Sequence, residues 1–158
     1  MNTENTNSLQ DLMSIVQSSD IGLVILDKAY TVRVWNLFMV NHSGLSADKM
    51  IGTNLFESFQ DFPKQWFIDK AQQSINKKVK LLSTWEERPY LFKFDNTRSS
   101  VKVVAFMYQN ITFIPLASAS GEINNFAITI NDVTDIASGR EQLNAIVSDL
   151  SKQHLNDD

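Results

Sequence analysis

Residues 125–135, NFAITINDVTD, place a β-strand directly before a helix. Phe126, Ile128 and Ile130 alternate with small or polar residues, which is the pattern of a strand with one buried face. Thr134 is suited to cap the following helix, and Asp135 would then lie beside the positive end of the helix dipole. A strand that leads directly into a helix with an unpaired apolar face predicts a module that passes a state onward.

The helix after Thr134 carries an apolar seam that is suited to pairing with a second copy of itself. The seam positions recur at spacings of four and three, and they are Ile136, Arg140, Leu143, Val147, Leu150 and His154. The apolar members Ile136, Leu143, Val147 and Leu150 predict a homodimer contact. Arg140 and His154 are polar seam residues, and Gly139 lowers the helix propensity of the first turns. Such a marginal seam is equally compatible with a switch and with a frayed tail.

The composition is that of a folded single domain with helical flanks. The chain has 158 residues, of which 43% are hydrophobic, and a net charge of −4 with no dense cluster of Lys and Arg. Nucleic acid and anionic membranes are therefore poor candidates for partners. The absence of cysteine excludes disulfides, thiolate zinc sites and cysteine nucleophiles. A polar N-terminus and the lack of any apolar run of about 20 residues predict a cytoplasmic protein without membrane contact.

The alternation of apolar and polar residues predicts an α+β domain. The predicted strands are Ile21–Leu26, Thr31–Trp35, Lys80–Glu87, Val101–Leu116 and Asn125–Asn131. A helix is predicted from Ser8, short helices are predicted after Asn36 and near Ser46, and a longer one spans Pro63 to Asn76. Long antiparallel strands with helices inserted on one side are typical of the α+β class.

Four short motifs occur in the order that is typical of the PAS sensory domain. They are Trp35-Asn36, Gly44-Leu45, Ile51-Gly52 and Asp132-Val133-Thr134, and the chain resembles that family over roughly residues 12–136. The resemblance implies a five-stranded antiparallel sheet with short helices on one face, which together enclose a small pocket. It also implies an N-terminal flanking helix (1–19), a sensory domain (20–133) and a C-terminal signalling helix (134–158). Asp132, Thr134 and Asp135 would transmit the signal.

The chain is also similar to the sensory segment of bacterial diguanylate cyclases. In those proteins the linker helix runs into the cyclase domain, and Leu155-Asn156-Asp157-Asp158 stands where such a domain could begin. The Gly-Gly-Asp/Glu-Glu-Phe signature of the cyclase is absent, so this chain is not expected to be an enzyme. The resemblance predicts a fragment of a longer sensor with an output domain, and a stand-alone sensor remains the alternative.

The cofactors of the PAS family can be compared with the residues present. Flavin photosensors of this fold need an adduct-forming cysteine, so a cysteinyl-flavin is excluded. Haem sensors commonly place a histidine on the long helix before the third strand, and residues 63–79 contain none. A histidine at a position like that of His42 is more often hydrogen-bonded at a helix end than bound to iron. Buried methionines such as Met39 and Met107 are likewise more often packing residues than iron ligands. The sequence argues against haem, predicts no metal site and leaves any other cofactor unknown.

A small organic ligand is a stronger candidate, because aromatic residues are frequent in the middle of the chain. The candidate lining residues are Phe56, Phe59, Trp66, Phe67, Trp85, Arg88, Tyr90, Phe106 and Tyr108. An apolar cavity with a few polar groups is the usual form of a small-molecule site. The alternative is a filled aromatic core that binds nothing, since large side chains fill a space as readily as they line it.

Three hypotheses for the function follow from these observations. The first is a sensory and dimerisation module that controls an output domain. The second is a protein-interaction module with a filled core and no ligand. The third is a small isomerase-like enzyme that uses one buried carboxyl group and a tyrosine. The adjacent Glu86 and Glu87 are not expected to act as a catalytic pair, because they would point to opposite faces of a strand.

Overall fold

The structure is a computed structural model that describes residues 3–98 and 104–156. Its helices are α1 (Thr3–Ser18), α2 (Leu37–Ser43), α3 (Ala47–Met50), α4 (Lys64–Lys77) and α5 (Thr134–Asn156), and a short 3-10 helix spans Leu55–Glu57. Its strands are β1 (Gly22–Asp27), β2 (Val32–Trp35), β3 (Leu81–Ser83), β4 (Gln109–Ala117) and β5 (Ile123–Asp132). Among the described residues, no helix combines the length and the apolar character that crossing a membrane requires.

The five strands form one antiparallel sheet in the order β2-β1-β5-β4-β3. The last strand in the chain, β5, lies at the centre and pairs Ile128 with Val24 of β1 and with Phe113 of β4. A five-stranded antiparallel sheet with helices confirms the predicted α+β class. Because β5 is central and continues into α5, the C-terminal helix begins from a strand that is paired along both edges.

One face of the sheet is buried beneath α2, α3 and α4. On β5, Phe126, Ile128 and Ile130 are at most 1% exposed, as their alternation predicts. Helix α4 contributes Phe67 and Ala71, which are fully buried against this face. The interior of the domain therefore lies between the sheet and these three helices.

Gly22 lets α2 approach the sheet closely. A Cβ atom at this position would lie 2.8 Å from the Met39 sulfur, 2.9 Å from Cδ1 of Phe38 and 3.0 Å from Cβ of Ile130. Contacts of this length would force one of these side chains to move. The absence of a side chain at Gly22 is therefore a condition for the packing of α2.

Asn36 connects the first helix to the sheet. Its Oδ1 accepts hydrogen bonds from the backbone N–H of Leu23 (3.0 Å) and Met39 (3.4 Å), the latter capping α2 as predicted. Its Nδ2 donates to the carbonyl oxygens of Val16 (3.1 Å) and Ile21 (2.8 Å). Because Asn36 is fully buried, one amide joins the end of α1, the start of β1 and the start of α2. Helix α1 itself begins at Thr3, earlier than the predicted Ser8.

Two predicted strands are shorter than their alternation suggested. The strand predicted over Lys80–Glu87 ends at Ser83, because the next residues form a turn in which Trp85 N–H donates to Oδ1 of Asn110 (2.9 Å). The strand predicted over Val101–Leu116 is β4, which begins at Gln109. Residues 101–103 lie outside the described part of the chain. The described residues between the two strands, 84–98 and 104–108, are called the β3–β4 connection below.

Candidate functional site

The end of β5 is bound to the start of β4 and α5 by the side chains of Asp132 and Thr134. Oδ1 of Asp132 accepts hydrogen bonds from the backbone N–H of Thr134 (3.0 Å) and from its hydroxyl (2.5 Å). The Thr134 hydroxyl oxygen accepts the backbone N–H of Tyr108 (3.1 Å), and Val133 N–H donates to the Tyr108 carbonyl (2.9 Å). We call this set of residues, Tyr108 and 132–134, the β5–α5 joint.

The predicted role of Thr134 as the helix N-cap is wrong. Helix α5 begins at Thr134 itself, and its first backbone hydrogen bond runs from Ala137 N–H to the Val133 carbonyl (2.9 Å). The Thr134 hydroxyl does not cap the helix because it is directed back to the last residue before β4, where it accepts the backbone N–H of Tyr108. Thr134 is fully buried, so its hydroxyl satisfies polar groups that water does not reach.

Arg98 places a positive charge against both acidic residues of this region. Its Nε donates to Oδ2 of Asp132 (3.0 Å), and its Nη1 forms an ion pair with Asp135. Burial alone would lower the pKa of Arg98, but the charges of Asp132 and Asp135 outweigh it and raise the pKa. The structure thus brings the three predicted transmission residues Asp132, Thr134 and Asp135 together, and adds Arg98 to them.

The β3–β4 connection fills part of the interior. Leu91, Phe92 and Phe94 are at most 3% exposed and belong to the hydrophobic core. The fully buried Gln109 holds this segment in place. Its Oε1 accepts the backbone N–H of Leu91 (3.0 Å) and Phe92 (3.1 Å), and its Nε2 donates to the Phe92 carbonyl (2.6 Å).

The interior around Phe67 is packed with aromatic rings. The Phe67 centroid lies between 5.2 and 6.2 Å from those of Tyr30, Phe56, Phe62, Phe113 and Phe126. These distances are typical of tilted and edge-to-face ring contacts. Phe67 is therefore a residue of the aromatic core, and its role as a pocket residue stays a prediction.

The other predicted pocket residues do not converge on one site. The Arg88 guanidinium lies over the Trp66 ring (4.8 Å), and its buried Nε has no hydrogen-bond partner among the residues that the structure describes. Trp85 packs on Tyr108 (5.5 Å), whose hydroxyl donates to Glu141 (2.9 Å). This hydrogen bond, together with burial, raises the pKa of Tyr108. Phe106 contacts Tyr90, and Phe56 packs on Tyr30.

Two of the predicted pocket residues, Phe59 and Tyr90, line a groove that we call the aromatic groove. It has a volume of about 520 Å³ and lies between the end of α2, the loop before α4 and the β3–β4 connection. Its lining residues are His42, Ser43, Leu45, Ser58, Phe59, Gln60, Asp61, Phe62, Tyr90, Leu91, Phe92, Lys93, Phe94 and Asp95. Aromatic walls with a few polar groups match the usual composition of a small-molecule site.

His42 lies between the aromatic groove and the β5–α5 joint. Its ring contacts Phe38 (4.3 Å between centroids) and is stacked on Phe94 (5.8 Å). A second cavity, of about 380 Å³, is also lined by His42 and extends to Arg98 and Asp132. Burial lowers the pKa of His42, although the charge of Asp132 acts in the opposite direction.

The sequence interpretation missed the roles of Phe92, Phe94 and Arg98. A signal was present, because Phe92 and Phe94 alternate with the exposed Lys93 and Asp95, as in an extended segment with one apolar face. The partner of Arg98 could not be found in the same way, since Asp132 lies 34 residues away in the sequence.

A carboxyl group that acts as a general acid has a raised pKa, whereas the pKa values of Asp27 and Glu87 are both lowered. Burial would raise the pKa of Asp27, but hydrogen bonds from Thr31, Arg33 and Ala29 outweigh it, and the net shift is downward. The pKa of Glu87 is lowered chiefly by its hydrogen bond from Lys70. Within residues 3–98 and 104–156, no three side chains of His, Asp or Glu form a group that could hold a metal ion.

Helix α5 extends beyond the domain with an apolar stripe in solvent. After Ser138, every residue of α5 as far as His154 is exposed. The predicted seam residues Ile136, Leu143, Val147 and Leu150 are between 55% and 68% exposed, and Ile146 lies beside them.

Several solved structures are similar to this fold. A sensory box sensor histidine kinase from Vibrio cholerae is 23% identical, with a TM-score of 0.58 over 84% of this chain and 96% of that one. The PAS domain of a protein from Colwellia psychrerythraea is 11% identical, with a TM-score of 0.59 over 81% and 98% of the two chains. The PAS domain of BvgS from Bordetella pertussis is 12% identical, with a TM-score of 0.57 over 92% and 99%.

No model of a known protein family matches the sequence, and no curated protein matches it either. The likeness therefore rests on three-dimensional structure, with TM-scores of 0.57 to 0.59 over most of both chains in these three comparisons. The chain has the fold of a PAS domain.

Proposed function

We propose that this chain is the sensory and dimerisation module of a cytoplasmic signalling protein. The β5–α5 joint is the observation that carries this proposal. Its hydrogen bonds connect the central strand of the sheet, the start of β4 and the first turn of a long exposed helix. A change in how the sheet holds Thr134 would therefore alter the direction or the rotation of α5. In this role Asp132, Thr134 and Asp135 transmit the signal.

Two copies of the chain would pair through α5. The exposed stripe recurs at the spacings of a coiled-coil seam, and such a seam is complementary to itself in a parallel pair. An output domain beyond Asn156 would then be brought together with its own copy. A diguanylate cyclase is our specific proposal for that domain, because the sequence resembles the sensory segments of those enzymes.

The ligand would bind in the aromatic groove. The groove is accessible from solvent, whereas the space around Phe67 is filled by rings. Its aromatic walls favour a small planar molecule, and Ser58, Asp61 and Lys93 offer groups that could form hydrogen bonds with it. A ligand here would contact His42 and Phe94, which lie on the side of the groove toward the joint.

The packed interior also favours a second candidate, an interaction module that holds no ligand. Phe92 and Phe94 occupy space between the helices and the sheet, and Phe67 touches five other rings. In that case dimerisation through α5 would be the whole function, and the aromatic groove would be a feature of the surface.

Native mass spectrometry of the chain purified from cells tests the first proposal against the second. We expect a dimer that carries a defined extra mass. Tyr90→Ala should lose this mass, because Tyr90 lines the groove but takes part in few core contacts. Leu116→Ala, on β4 away from the groove, is the control and should keep it.

The outcomes separate the parts of the proposal. A dimer without added mass in any variant would contradict the ligand and leave the interaction module. An added mass that survives Tyr90→Ala would contradict the aromatic groove as the ligand site, whether or not Leu116→Ala keeps it. A monomer would contradict dimerisation under either candidate.

A further inference from the structure

Glu86 and Glu87 are neighbours on the turn after β3, and each pairs with a different helix. Glu87 forms an ion pair with Lys70 of α4 at 2.7 Å. Glu86 forms an ion pair with Arg140 of α5. The turn is held by hydrogen bonds from the N–H groups of Glu87 (3.0 Å) and Arg88 (3.1 Å) to the Thr84 carbonyl. The two acidic residues therefore connect the helix that covers the interior with the helix that leaves the domain.

Arg140 occupies a position in the apolar seam of α5. It follows Ile136 by four residues and precedes Leu143 by three, so it shares their helix face. In a parallel pair of helices, equivalent seam residues of the two copies face each other across the contact. Two Arg140 side chains would then approach with like charges, which disfavours association.

Glu86 supplies the opposite charge at this position. It belongs to the domain rather than to α5, so its place relative to the seam is set by β3 and by the Asn110 side chain that binds Trp85. An acidic residue on α5 itself would move with the helix. Glu86 instead neutralises Arg140 only when α5 is in the orientation that this structure has.

We propose that Glu86 controls the association of α5 with a second copy of this chain, by pairing with the seam residue Arg140. This inference rests on the proposed function, because it takes the dimer through α5 as given. It adds a residue outside the seam that sets the strength of the contact. It also links the strength of the dimer to α4, since Glu87 connects the same turn to Lys70.

The test is the dimer dissociation constant, measured by analytical ultracentrifugation for three forms of the full chain. Glu86→Gln should raise the dissociation constant about 2- to 10-fold at about 0.15 M salt, since the two Arg140 charges at the seam would then repel each other without a neutralising carboxylate in either copy. In about 1 M salt the variant and the wild type should converge, because salt screens the charges. Glu122→Gln, an exposed residue in the loop before β5, is the matched control and should change nothing.

Arg140→Leu provides the second, independent variant. It removes the like charges that would face each other across the seam and adds apolar surface there, so it should lower the dissociation constant by about 10-fold or more. In the Arg140→Leu background, Glu86→Gln should have no further effect. Far-ultraviolet circular dichroism of each variant verifies that the fold is kept.

Each contrary result has a separate meaning. A dimeric wild type in which Glu86→Gln behaves like Glu122→Gln would overturn this inference and leave the proposed dimer intact. An undiminished effect of Glu86→Gln in the Arg140→Leu background would also overturn it, since Arg140 would not be the partner. If the wild type and Arg140→Leu are both monomeric, the proposed dimer fails and the inference fails with it.

Discussion

His42 is placed between two aromatic rings at the boundary of the groove and the joint. The rings of Phe38 and Phe94 exclude water from its faces, and the resulting burial lowers its pKa from the ordinary value of 6.5. The unfolded chain therefore takes up a proton at His42 at a higher pH than the folded protein does. The stabilising contribution of neutral His42 is fully present above pH 6.5 and is lost as the pH falls through the lower pKa of the folded state.

We expect the free energy of unfolding to fall between pH 7 and pH 5.5, and His42→Gln to flatten this part of the profile. Urea unfolding at several pH values measures it. His154→Gln is the control, because His154 is exposed near the end of α5. Parallel pH profiles for the wild type and His42→Gln would contradict the assignment.

Hydrogen bonds between residues that are close in the sequence could be predicted, and those between residues far apart in the sequence could not. The capping of α2 by Asn36 depends on a residue three positions away, so the pattern was sufficient. The hydroxyl of Thr134 looked like a cap for the same reason. Its actual partner, the backbone of Tyr108, is 26 residues away in the sequence and is brought near only by the pairing of β4 with β5.

The β3–β4 connection depends on one side chain of β4. Gln109 forms three hydrogen bonds with the backbone of Leu91 and Phe92 and is completely buried. Gln109→Leu would keep most of the volume but leave the N–H groups of Leu91 and Phe92 without their partner, while the Phe92 carbonyl would keep its hydrogen bond from the N–H of Phe94 (2.8 Å). Because each buried polar group left unpaired costs about 1–3 kcal/mol, we expect a loss of about 2–6 kcal/mol in the free energy of unfolding.

Urea unfolding monitored by tryptophan fluorescence measures this loss. Thr112→Val is a matched control on the same strand, since Thr112 is only half-buried and lies on the other face of the sheet. A change below about 0.5 kcal/mol in Gln109→Leu, similar to that of an ordinary surface substitution, would contradict the role given to Gln109.

The end of β3 and the start of β4 were the strand boundaries that the sequence predicted least well, for a related reason. Alternation continues beyond Ser83 and before Gln109, so the sequence pattern indicates long strands. The ladder ends at Ser83 and Ile111 because the side chains of Gln109 and Asn110 bind the backbone of the connection instead. Periodicity reports which side of the chain is apolar, but it does not report which partner the backbone has.

At the scale of the whole molecule, the domain and the distal part of α5 are expected to behave independently. Leu143 is 60% exposed and lies beyond the last turn of α5 that is buried on the domain. Leu143→Asp should therefore produce a monomer without a change in the secondary structure of the domain. Size-exclusion chromatography with light scattering at micromolar concentration measures the mass.

Gln142→Asp is the control for this experiment, because it adds the same charge at a neighbouring position outside the seam. We expect it to remain a dimer. An equal mass for Leu143→Asp and the wild type would show that the seam does not form the contact.

The flanking helices are each attached to the sheet through a small polar anchor, Asn36 for α1 and Thr134 for α5. Such an anchor works as a pivot, and the 23 residues of α5 form a lever about 35 Å long. A tilt of about 5° at the pivot would displace the far end of this lever by about 3 Å. A movement too small to disturb the packing of the domain would thus become one of atomic dimensions at Asn156.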